Sequence, residues 1–104
     1  MTFINLTPHT INIVTDGETI NVPPSGDVAR VATNYRVVDN INDVPIYECF
    51  YGDLTGLPEA NGVDRYIVSG MIKTAVPHRT DVFSPGELVR DENGKPVGCR
   101  GLRQ

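Results

Sequence analysis

The chain has 104 residues, of which 39% are hydrophobic and 21% charged, with a net charge of −4, ten glycines, eight prolines and no tryptophan. That length holds one domain with a modest core, and the glycine and proline content points to short elements and many turns. No apolar run approaches the ~20 residues of a membrane-spanning helix, the acidic balance excludes a general nucleic-acid binder, and Cys49 and Cys99 read as free thiols rather than a disulfide framework.

Residues 2–6 read as a short strand that Thr7-Pro8-His9 interrupts, because proline cannot donate to a ladder. Ile11, Ile13, Val14 and Thr15 predict a second strand, Asp16-Gly17 a two-residue hairpin turn, and residues 19–22 the returning strand. Pro23-Pro24-Ser25-Gly26 is a rigid turn. Residues 28–38 are β-branched enough for one or two strands, 39–43 form a polar turn, and 44–51 a further strand. There Glu48 interrupts the Val44/Ile46/Phe50 set, so the Tyr47/Cys49/Tyr51 side is expected to be buried.

Residues 52–64 show no period, and an irregular stretch of that length in a small domain is either mobile or functional. Residues 65–68 form a short strand. Ser69 is placed to cap a helix over 70–76, in which Met71/Ala75 and Ile72/Val76 stack before Pro77 ends it. Residues 81–83 and 87–90 read as strands separated by Ser84-Pro85-Gly86, and Asp91-Glu92-Asn93-Gly94 as a turn into residues 96–100. The expected fold is mainly β, a small antiparallel barrel or sandwich with one short helix at about 70–76.

The charge is uneven. Residues 1–64 carry two basic and nine acidic side chains, net −7, and residues 65–104 carry seven basic and four acidic, net +3. Seven of the nine basic residues are arginine, whose planar fork suits phosphate and carboxylate.

Three polar clusters stand out. In Asn5-Leu6-Thr7-Pro8-His9-Thr10 a strand end presents an imidazole, although the Asn and Thr side chains equally suit a self-satisfied turn. Pro77-His78-Arg79-Thr80-Asp81 places a cation and a carboxylate where they can pair with each other. In residues 89–102, Gly98 and Gly101 flank Cys99 and Arg100, so backbone could approach a ligand there. The Asp/Asn/Gly content of that last cluster lacks the alternating oxygens and later glutamate of a calcium loop. Cys99 reads as a buried, inert thiol, with no base beside it in the sequence to activate it. No spacing supports a metal site, a phosphate loop of the common types or a serine hydrolase elbow. No cofactor is expected.

These motifs carry a resemblance. Asn5 through His9, Pro24-Ser25-Gly26 with Ala29-Arg30-Val31, Gly56-Leu57-Pro58, Tyr66 through Ser69, Arg79 through Val82, and Val89 through Leu102 resemble a group of short proteins of phages, prophages and actinobacteria. The resemblance spans almost the whole chain. It implies a small phage-type protein and transfers no active site. Some small phage proteins sequester the nucleotide signals of host defence, which is an analogy only.

The leading expectation is a non-enzymatic binder of a small anion, such as a nucleotide or cyclic-nucleotide signal. Thr7, His9, Arg30, Arg79, Asp81, Arg90 and Arg100 would form its site, with Tyr35, Tyr47, Tyr51 and Tyr66 able to stack on a base. Such a site in so small a chain is expected at a subunit interface, hence a homo-oligomer, free of DNA and membrane. The opening segment has no basic region of the signal-peptide kind, so the cytoplasm (of the host, for a phage protein) is the expected location. The alternatives are a protein-interaction or virion-associated module, using a sheet edge and the 52–64 loop, and a phosphodiester or glycosidic hydrolase using His9 or His78 with Asp81.

Overall fold

A computed structural model describes residues 3–104. The expected mainly β fold with one short helix is what forms. The strands are β1 (Phe3–Asn5), β2 (Ile11–Thr15), β3 (Glu18–Val22), β4 (Arg30–Ile41), β5 (Val44–Thr55), β6 (Arg65–Ile67), β7 (Val82–Arg90) and β8 (Pro96–Arg103); α1 (Gly70–Ala75) lies between β6 and β7. The first strand was expected from Thr2, which lies outside the described residues.

Two sheets result. One has six strands in the order β1-β6-β7-β8-β2-β3, and the other is the β4–β5 hairpin alone. The larger sheet is mixed rather than antiparallel throughout: β1–β6, β6–β7 and β2–β8 pair in parallel. The reason is connection length. β6 and β7 are joined through α1, and a crossover of that length returns a strand in the same direction.

Tyr66, Ile67 and Val68 are buried in and just after β6, which is covered on both faces. Tyr66, Val68, Leu6, Ala29, Val82 and Ile72 of α1 form the core, and Ile4, Val31, Leu54, Leu57 and Val76 pack around it. Ser69 caps α1 as expected, its side-chain oxygen accepting from the Ile72 amide at 3.4 Å.

The six-stranded sheet curls into a half-barrel. Its two edge strands, β1 and β3, are tied together by Asn5, which is 1% exposed. Asn5 Nδ2 donates to the Val22 carbonyl at 2.9 Å and to the His9 carbonyl at 2.7 Å. Its Oδ1 accepts from the Thr7 amide at 2.9 Å and the Thr7 hydroxyl at 2.6 Å. Its backbone carbonyl accepts from the Ser25 amide at 3.0 Å and the Ser25 hydroxyl at 2.7 Å. One side chain thus uses both donors and its acceptor on the curl, and among the described residues no buried side-chain nitrogen or oxygen lacks a partner.

Residues 84–86 do not break β7, which runs unbroken past Pro85 opposite Leu102. Gly86 makes this possible. A side chain there would sit 2.5 Å from the Arg100 carbonyl oxygen and 2.9 Å from that of Gly101, so β7 and β8 cross closely only because it is absent.

The strands expected over 28–38 and 44–51 extend to Ile41 and Thr55 and pair with each other as one hairpin. Asn42 and Asp43, at φ 51° and 64°, form a two-residue turn between Ile41 and Val44, so the polar stretch 39–43 shrinks to its centre. At the far end the strand takes in residues 52–55 of the expected loop. Twelve-residue strands reach about 40 Å. The radius of gyration is 16.8 Å and the longest extent 54 Å, where a compact chain of about 100 residues has a radius near 13 Å.

Candidate functional site

The seven residues expected to converge on an anion lie apart in their roles. Thr7 is buried, and its hydroxyl donates toward Asn5 Oδ1 and the His9 carbonyl, so it shapes the Asn5 turn. Arg79 and Asp81 grip each other through two bonds of 2.8 Å, and Arg79 also donates to the Pro58 carbonyl at 3.0 Å. Three of the five guanidinium donors are therefore used, and the pair pins the 56–64 loop against the start of β7. Arg90 donates to the Gly94 carbonyl at 2.8 Å and braces the β7–β8 turn. Arg30 and Arg100 are exposed, at the root of the hairpin and on β8.

His9 alone of the seven lines an open groove of about 510 Å³ between β2 and the β7–β8 pair. Its other walls include Ile11, Asn12, Pro85, Leu88 and Val97, with no arginine among them. The close backbone approach anticipated beside Cys99 is made by β2: a side chain on Gly98 would meet the Asn12 carbonyl oxygen at 2.7 Å. Cys99 is buried and Cys49 exposed, both as free thiols. Among the described residues no helix is long and apolar enough to cross a membrane.

The hydrolase reading also meets a chemical difficulty. The hydrogen bonds from Arg79 hold the Asp81 carboxyl below its ordinary range, against the opposing effect of burial, and raise Arg79 in turn. A carboxylate held so is a weak proton acceptor. Because the folded state lowers this pKa, the pair stabilises the fold above the unfolded value of about 3.9 and loses that effect as pH falls through the folded value. We expect Asp81→Asn to be clearly less stable than the parent at neutral pH, with the gap closing below about pH 4. Urea unfolding at a series of pH values measures it, and a constant gap would contradict the assignment.

The largest correction concerns the hairpin. The Tyr47/Cys49/Tyr51 side, expected to be buried, is open: Tyr47 is 56% and Tyr51 49% exposed. Opposite them in the register stand Val37, Tyr35 and Thr33, with Tyr35 at 66% exposure. Directly opposed residues point to the same side of a ribbon, so these six side chains form one uncharged face. The other face carries Asn34 opposite Phe50 and Arg36 opposite Glu48. There the Arg36 guanidinium bonds Glu48 at 2.9 and 3.2 Å and lies over the Phe50 ring at 5.8 Å.

At its root the hairpin packs through Val31 and Leu54 on the core. The remaining ribbon has no cover among the described residues, because the core is already filled by α1 and β6. Tyr66, grouped with the other tyrosines as a stacking residue, is buried in that core and unable to stack on a ligand. Asn5 is the residue that sequence reasoning undervalued. Its signal was the Asn-x-Thr spacing at a strand end, the pattern of a side chain capping its own turn. Set against known proteins, the chain matches no protein family, no curated protein and no solved structure.

Proposed function

We propose that this chain is a protein-interaction module, and that the β4–β5 hairpin is the arm through which it docks. The observation that carries this reading is the uncharged aromatic face of residues 33–51, raised clear of a core that has no use for it. An isolated two-stranded ribbon is marginally stable in water, and its free edges invite pairing. The arm carries no lysine, the two lysines being Lys73 and Lys95, and its bulges lie at Val31/Thr33 and Val37/Asp39, either side of the aromatic stretch. Burial of tyrosines at an interface supplies apolar area and hydroxyl contacts together. The small-anion reading has less support, because Arg79 and Arg90 are engaged within the fold and the groove at His9 is mainly apolar.

The test is a photo-crosslinking amino acid at Tyr35, introduced into the full chain in cells that produce it. A discrete protein adduct is expected there, with none from the same probe at Asn93 in the β7–β8 turn. Absence of any discrete adduct at Tyr35 would overturn the reading.

A further inference from the structure

Resting on that reading, we infer that the arm's partner is a second copy of this chain, packed face to face through Thr33, Tyr35, Val37, Tyr47, Cys49 and Tyr51 about a two-fold axis. Three observations lead to this occupant.

The first is charge. The chain is −4 overall and its first 64 residues are −7, so two copies repel unless they meet through a neutral surface. The arm places its Arg36–Glu48 pair on the opposite face, which leaves the tyrosine face without a charge. A foreign partner chosen by electrostatic complementarity would find nothing to read there.

The second is self-complementarity. In a two-fold contact the same patch serves both sides, so each group must suit its own kind. The polar atoms of this face are the hydroxyls of Thr33, Tyr35, Tyr47 and Tyr51. A hydroxyl both donates and accepts, so such a face pairs with itself and leaves no group unmatched.

The third is area. A buried aromatic side chain covers about 150–250 Å², and the three tyrosines here are roughly half exposed. With Val37, Thr33 and Cys49 one face offers about 500 Å², and two copies would hide about 1,000 Å², the lower bound for a specific interface. An interface of that size is one that associates and dissociates rather than a permanent one.

The experiment uses the purified full chain in sedimentation velocity across micromolar to near-millimolar concentration. The wild type is expected to shift from monomer to dimer. Val37→Asp and Val37→Lys, at an exposed position, are each expected to be monomeric while keeping the parent's far-ultraviolet spectrum. Ile46→Asp, on the other face, should dimerise like the wild type. A wild type that stays monomeric at every concentration overturns the inference, as does a Val37→Asp chain that still dimerises. A monomeric wild type together with a Tyr35 adduct to a different protein would leave the docking reading standing and remove only the second copy. No adduct at all would remove both.

Discussion

Replacing Asn5 by alanine is expected to destabilise the fold by about 3 kcal/mol or more, a drop in Tm of over ~12 °C for a domain of this size. The substitution strands the Val22 carbonyl and leaves the Thr7 amide without its buried acceptor, while the Thr7 hydroxyl turns to the His9 carbonyl. The His9 carbonyl keeps its bond from the Thr7 hydroxyl, so the loss there is partial. Each stranded buried group costs about 1–3 kcal/mol, against a total stability of roughly 5–15 kcal/mol. Asn5→Asp should be worse. An ionised carboxylate only accepts, so it would face two carbonyl oxygens with a buried negative charge and no donor. That variant is expected not to fold at neutral pH and to recover partly in acid, where one oxygen regains a proton. Circular dichroism melts decide it; an Asn5→Ala chain melting within a few degrees of the parent would remove Asn5 from its role in closing the curl.

The second large effect is expected at Gly86. Alanine there would place a methyl group against the backbone oxygens of Arg100 and Gly101, at 2.5 and 2.9 Å. Neither oxygen can move without breaking the β7–β8 ladder at the Glu87–Arg100 and Pro85–Leu102 pairs. Overpacking of this kind costs about 1–3 kcal/mol, and more where the obstacle is backbone. The neighbouring Gly101 supplies the control. It sits at φ 69° with open space where a side chain would go, so Gly101→Ala carries only the left-handed backbone cost of about 1–2 kcal/mol. Denaturant midpoints should therefore fall further for Gly86→Ala than for Gly101→Ala. The reverse order would mean that β7 and β8 do not cross at Gly86. Because β8 also carries Cys99 opposite Ile13 of β2, the Gly86 change should loosen the β2–β3 hairpin as well, which hydrogen exchange would report.

Much of the local structure was legible in the residues themselves. The Asp16-Gly17 hairpin, the Ser69-capped helix before Pro77 and the Asp91–Gly94 turn are determined by neighbours within a few positions, so local chemistry suffices for them. Asp91 Oδ1 accepting from the Asn93 and Lys95 amides is such a case. The Arg79–Asp81 pairing was readable too, because an extended segment puts alternate residues on one side. Polarity alone misleads at Ser84-Pro85-Gly86. Those residues look like a turn, and they stay in a strand because a distant carbonyl needs the space that Gly86 leaves.

By itself the sequence determined a mainly β chain with one short capped helix, its tight turns, and a strand on which Tyr47, Cys49 and Tyr51 share one side. Alternation along a strand says which residues share a side, and that much follows from backbone geometry alone. Which side is covered is a question of what else packs there, and only the tertiary structure decided it. The core closes on Tyr66, Val68, Leu6 and α1, and Asn5 ties the curl shut. With that core complete at its root, the arm keeps its tyrosines in solvent, where a second chain can bury them.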